Sequence, residues 1–143
     1  MENILAAMDP AETHFYAGVH ALNLARRIKA KVLFLLVYPL SAKRSELAVE
    51  NDPETPVKKR LASLIEEARS DGITVEYYIA YGLFEKELVS FVQENKITLL
   101  VVESHNERDS NDGTGGLLDK IRHRIDCRIE VVNVKPEISD RKE

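Results

Sequence analysis

The sequence predicts an α/β protein, a single open, doubly wound sheet of five parallel strands with helices on both faces. Three observations predict it. Short apolar, β-branched runs alternate with helical patterns along the chain, and strand–helix–strand order favours right-handed crossovers and parallel pairing. Leu33-Phe34-Leu35-Leu36 is apolar without a break, as a strand covered on both faces requires. The length of 143 residues suits one domain with one substantial core.

The elements follow in order. Asn3 to Met8 reads as the first strand. Asp9 as N-cap, Pro10 at the first helical position and Glu12 at the third then make a capping-box-like helix start. Ala17, Ala21, Leu24 and Ile28 carry the buried stripe of the first helix. Val32 to Tyr38 is the second strand. The polar stretch Pro39 to Thr55 is longer than connections usually run, which marks it as mobile or functional. Val57, Leu61, Leu64, Ile65 and Ala68 share one face of a second helix, and Ile73 to Ala80 forms the third strand. Gly82 precedes a third helix striped by Phe84, Leu88, Phe91 and Val92. Ile97 to Val102 is the fourth strand, and a long turn runs from Glu103 to Gly116. Leu117, Ile121 and Ile125 mark a short fourth helix before the last strand, Arg128 to Val134. The domain therefore spans 1–134, and 135–143 is a charged tail.

Composition narrows the function. Hydrophobic residues make up 44% and charged residues 31%, as in soluble globular proteins. With 24 acids against 20 bases the net charge is −4, which argues against a general nucleic-acid binder. Lys120, Arg122, Arg124 and Arg128 cluster with few aromatic neighbours and read as a solvated helix face. No apolar run approaches the ~20 residues of a membrane span. Met1-Glu2-Asn3 does not open like a signal peptide, so the expected compartment is the cytoplasm. Cys127 has no cysteine to pair with and is expected to pack as a small apolar residue.

An open α/β sheet binds ligands beyond the carboxyl ends of its strands, where the strand order reverses. Asp9 to Glu12, Gly82 and the Glu103 to Gly116 turn are the candidate segments. Gly82 is either a glycine of close ligand approach or the turn into the third helix. Ser104 and His105 are adjacent, so their side chains diverge, and no third member completes a catalytic arrangement. His14, His20 and His123 have no histidine four residues on, which argues against a helical metal site. Asp109-Ser110-Asn111-Asp112-Gly113 misses the register of a calcium loop and has no closing glutamate.

The chain resembles the universal stress protein family, the UspA-like branch of the adenine-nucleotide α-hydrolase-like fold. The resemblance rests on Ile4-Leu5-Ala6-Ala7-Met8-Asp9, then Ala21-Leu22-Asn23-Leu24-Ala25-Arg26-Arg27, Val32 to Tyr38 and Gly82. It continues through Leu99-Leu100-Val101-Val102-Glu103-Ser104-His105 and ends with Arg122 to Val132, covering about residues 3 to 134. It implies strand order 3-2-1-4-5 and a homodimer formed by antiparallel pairing of the last strands, Arg128 to Val134. It also implies that Asp9 faces the adenosine part of a nucleotide and that Val37 lines the adenine pocket. The bland readings are a helix cap for Asp9 and core packing for Val37.

ATP-binding members carry Gly, two residues, Gly, nine residues, then Gly followed by Ser or Thr. Here Glu103 and Asn106 replace the two leading glycines, and Gly116 is followed by Leu117, without a hydroxyl. In the other register Gly115-Gly116 is the matching pair, one residue short, while Ser104-His105 is intact. A phosphate cradle needs small residues so that backbone N–H groups approach the oxygens. Glu103, Glu107, Asp109 and Asp112 against Arg108 alone give this loop four acids to one base, a local charge of −3. Such a field repels a triphosphate unless a metal ion bridges them.

The leading expectation is a dimeric regulatory domain with a degenerate nucleotide pocket, no certain cofactor, no enzymatic activity and a surface for an unknown protein partner. A second reading keeps ATP or AMP, with Mg²⁺, among Asp9, Val37, Gly82, Ser104, His105, Gly115 and Gly116. A third is a small hydrolase using a metal on the acidic loop.

Overall fold

The computed structural model of the chain describes residues 2–8, 15–41, 56–104 and 120–133. Its elements are β1 (Glu2–Met8), α1 (Tyr16–Arg27), β2 (Ala30–Tyr38), α2 (Pro56–Ser70), β3 (Thr74–Tyr81), α3 (Phe84–Glu94), β4 (Leu99–Ser104) and β5 (Arg128–Asn133). The strands form one five-stranded sheet in the order β3-β2-β1-β4-β5, and every pairing is parallel.

Alternation along each central strand divides the interior into two layers. Ile4, Ala6 and Met8 of β1, with Val32, Phe34 and Leu36 of β2, pack under α1 and α2. Leu5 and Ala7, with Leu33, Leu35 and Val37, pack under α3 together with Ile121 and Ile125. Both faces are covered, which is why these strands read as unbroken apolar runs. Gly18 lets α1 lie close to the sheet, since a Cβ there would sit 3.1 Å from Met8 Sδ.

Strand ends differ from the apolar runs by a residue or two. Ile97 is buried but precedes β4, so burial carried its signal without a ladder bond. Ile28 corrects the first helical stripe: it is 44% exposed and extended, and its N–H donates to Leu24 O at 3.2 Å. The chain must leave α1 there to enter β2 at Ala30. The fourth helix is reduced among the described residues to Lys120 and Ile121, followed by a turn through Arg122, His123 and Arg124. The Arg124 N–H closes that turn on Ile121 O at 2.8 Å. Ile121 and Ile125 are both buried, so their spacing reflected a packed face; Leu117 lies outside the described residues.

At the amino ends of the strands, Thr98 Oγ1 donates to Glu2 Oε1 at 2.7 Å and Arg128 Nη2 lies 3.1 Å from the same oxygen. The Thr98 hydroxyl and the Arg128 charge hold the Glu2 carboxyl below its ordinary value. Among the described residues, no helix is long and apolar enough to cross a membrane.

Candidate functional site

The strand order reverses at β1, which has β2 on one side and β4 on the other, so the crevice opens past Met8 and past Glu103-Ser104. Helix α1 begins at this pole. Its N-cap is Phe15, in the left-handed region at φ 55° and ψ 48°, with no side-chain cap and no acid in the first turn. Backbone N–H groups of a first helical turn have no partner within the helix. Glu103 supplies one from the end of β4: its Oε2 accepts the Ala17 N–H at 3.0 Å. A carboxylate also suits the positive end of the helix dipole.

This arrangement bears on two expectations. The described helix α1 has Phe15 as its N-cap; Asp9 and Pro10, the expected helix start, lie outside the described residues. Glu103, expected to obstruct a phosphate loop, is turned onto α1. Sequence reasoning missed its capping role because the two partners stand 86 positions apart.

Gly82 serves the turn into α3. Its φ is +149°, its N–H donates to Tyr38 O at 2.9 Å, and a Cβ there would stand 2.7 Å from Glu87 Oε2. Gly82→Ala is expected to lower stability by about 1–2 kcal/mol, because alanine is strained at that φ and Glu87 must swing away. A fall in the urea midpoint with an unchanged slope checks this; an unmoved midpoint would mean that the turn adapts freely. Val37, 5% exposed, belongs to the core under α3, as its bland reading had it. Ser104 ends β4 in register with Asn133. His105, Asn106, Gly115, Gly116, Leu117 and the acids from Glu107 to Asp112 lie outside the described residues.

Two charged features were not anticipated. The first turn of α3 carries Glu85 and Glu87 at the same pole, and Lys120 Nζ is 3.5 Å from Glu85. His20 Nε2 lies 2.6 Å from Glu130 Oε2, tying α1 to the edge strand β5. Both partners are part-exposed, so the tie contributes at most about 1 kcal/mol. Among the described residues no group of three His, Cys, Asp or Glu side chains is placed to hold a metal. Cys127 is half-buried rather than buried, and desolvation pushes its thiol pKa up, away from a reactive thiolate.

The model of the universal stress protein family matches residues 1–133. No curated protein matches the sequence. Among solved structures, a universal stress protein in complex with cAMP is 17% identical, with a TM-score of 0.69 over 92% of this chain and 96% of that one. The universal stress protein from Archaeoglobus fulgidus in complex with dAMP is 14% identical, with a TM-score of 0.62 over 92% and 97%. A family member from Arabidopsis thaliana with AMP bound is also 14% identical, with a TM-score of 0.59 over 100% and 97%. These likenesses carry the fold, including the sheet order.

Proposed function

Because the chain belongs to the universal stress protein family, we propose that it is a regulatory stress-response domain whose nucleotide crevice is degenerate, with ATP binding weak or absent. The observation that carries this reading is the Glu103 carboxylate seated on the Ala17 N–H at the reversal of strand order. Where a phosphate-binding relative has glycine, this chain places a negative charge that the start of α1 holds. Glu107, Asp109 and Asp112, next in the sequence, give the same segment further negative charge. We place the protein in the cytoplasm, without catalysis of its own, acting through a protein partner and as a homodimer paired along β5.

The second reading, AMP or ATP with Mg²⁺ in the residual pocket, draws support from the relatives solved with cAMP, dAMP and AMP. Mass spectrometry of freshly purified, acid-denatured protein separates the two. The degenerate crevice is expected to release no stoichiometric nucleotide, whereas one nucleotide per chain would overturn it. A ligand at ~100 times its dissociation constant adds ~2.7 kcal/mol of stability. Millimolar ATP·Mg²⁺ should therefore leave the unfolding temperature unchanged.

A further inference from the structure

We infer that the open edge of β3 is where this protein takes its partner, and that the partner is an extended segment which adds a strand there and turns acidic residues toward α2. The inference rests on the reading that the protein acts through a protein partner, and it names where that partner sits and its chemistry.

β3 ends the sheet, and among the described residues no strand lies beyond it. The Gly82 N–H donates to Tyr38 O at 2.9 Å, so the backbone of Gly82 turns toward β2. Alternation along a parallel pair then turns Ala80, Tyr78 and Glu76 the same way and leaves Val75, Tyr77, Ile79 and Tyr81 with N–H and C=O groups outward. Arg69 agrees with that assignment: from the last turn of α2 its Nη2 donates to Val75 O at 3.3 Å. Proteins blunt open edges with short strands, proline, bulges or charge. β3 is eight residues long, without proline and in unbroken register with β2. Its one charged side chain, Glu76, is held by Lys31 Nζ at 3.2 Å and by the Tyr78 hydroxyl at 2.7 Å. Tyr77 and Tyr78, one on each face, are exposed beside the outward backbone. Such an edge recognises another extended chain through main-chain groups and through side chains at alternate positions.

Charge selects the occupant. Lys58, Ala62, Ile65 and Arg69 fall on one stripe of α2, and the reach of Arg69 to Val75 shows that this stripe borders the β3 edge. Arg69 forms no ion pair among the described residues, since its bond is to a neutral carbonyl. A second copy of β3, paired antiparallel about a twofold axis, would set Arg69 against Lys58 of that copy, cation facing cation. A partner strand with acidic residues on its α2 side meets these cations with the opposite sign, and Tyr77 on that side receives an apolar neighbour.

Two fluorescein-labelled peptides of alternating valine and threonine, one ended by two aspartates and one by two lysines, are the probes for anisotropy titration. The acidic peptide is expected to bind about fivefold more tightly, the worth of one good exposed ion pair. Arg69→Glu, at an exposed position, should reverse that preference. Tyr77→Pro removes an outward N–H and spares the ladder to β2, so it should weaken the acidic peptide about tenfold. The urea midpoint verifies that it folds; should it not, Arg69→Glu carries the test. Hydrogen exchange should show the Val75, Tyr77, Ile79 and Tyr81 amides slowed by the acidic peptide. No binding by the wild type, or a preference that Arg69→Glu leaves unmoved, overturns the inference. Protection that falls on β5 also overturns it, while keeping the reading that the protein acts through a partner. Amides protected in the free protein and released on dilution would put a second copy on the edge and overturn it too. One nucleotide per chain, by contrast, would overturn the degenerate crevice and leave the β3 edge untouched.

Discussion

Replacing Phe15 by alanine should lower the unfolding free energy by about 3–5 kcal/mol, and replacing it by glycine should cost less, not more. Phe15 is fully buried in the layer under α1 and α2, so truncation removes a large apolar surface and leaves a cavity. Its backbone is at φ 55° and ψ 48°, and its carbonyl accepts the Val19 N–H at 3.0 Å in the first turn of the helix. In a helix interior glycine is about 1 kcal/mol worse than alanine. In the left-handed region the order reverses by about 1–2 kcal/mol, because alanine's Cβ crowds the following carbonyl and glycine has none. Phenylalanine endures this conformation because its burial outweighs the strain. Urea unfolding of the two variants reads the difference. Alanine equal to or above glycine would show that the left-handed cap is not kept once the ring is gone. Of typical domain stabilities of about 5–15 kcal/mol, either loss is a large fraction, so both variants belong at low temperature.

Phe15 also marks where sequence reasoning reached and where it stopped. The central strands β1, β2 and β4 were legible because both of their faces are covered, and Leu33 to Leu36 show that cover residue by residue. β3 was legible for a different reason. Val75 and Ile79 point into the layer under α1 and α2, with Tyr77 on the same face and 45% exposed, while Tyr78, 39% exposed, lies on the α3 face and meets Phe91 edge-on with ring centroids 5.1 Å apart. The described start of α1 was not legible, because it lies where a buried aromatic can anchor it; Asp9-Pro10-Ala11-Glu12, which has the local chemistry of a helix start, lies outside the described residues. Tertiary packing rather than a local signal sets such a start. Glu103 was identified as the residue that breaks the glycine pattern. The group it serves, an amide on the first helix, is defined only once β4 lies beside β1, and no spacing rule contains that. His20 and Glu130 pair for the same reason, through strand order.

Val131→Pro should convert the proposed dimer to a folded monomer, raising its dissociation constant by at least tenfold. The Arg128 N–H donates to Thr98 O at 3.4 Å, so Arg128 turns its backbone polar groups toward β4. In a parallel pair alternate residues do this, which assigns Glu130 and Val132 to β4 and leaves Ile129, Val131 and Asn133 with backbone groups on the open edge. Among the described residues no strand covers that edge, and a second copy of β5 could pair with it. Val132→Lys would be a poorer test, because Val132 packs against the layer under α1 and a lysine there would disturb the core as well. Proline at 131 removes an outward N–H and spares the ladder to β4, as edge strands tolerate. Val131 also touches the layer under α3, so a modest loss of stability is expected, and the urea midpoint measures it separately. Sedimentation velocity at several concentrations then decides the assembly. A wild-type monomer would remove the dimer from the proposed function, and a variant that sediments as an unchanged dimer would move the interface off β5. A folded monomer would leave the edge amides of Ile129, Val131 and Asn133 as the groups that hold two copies together.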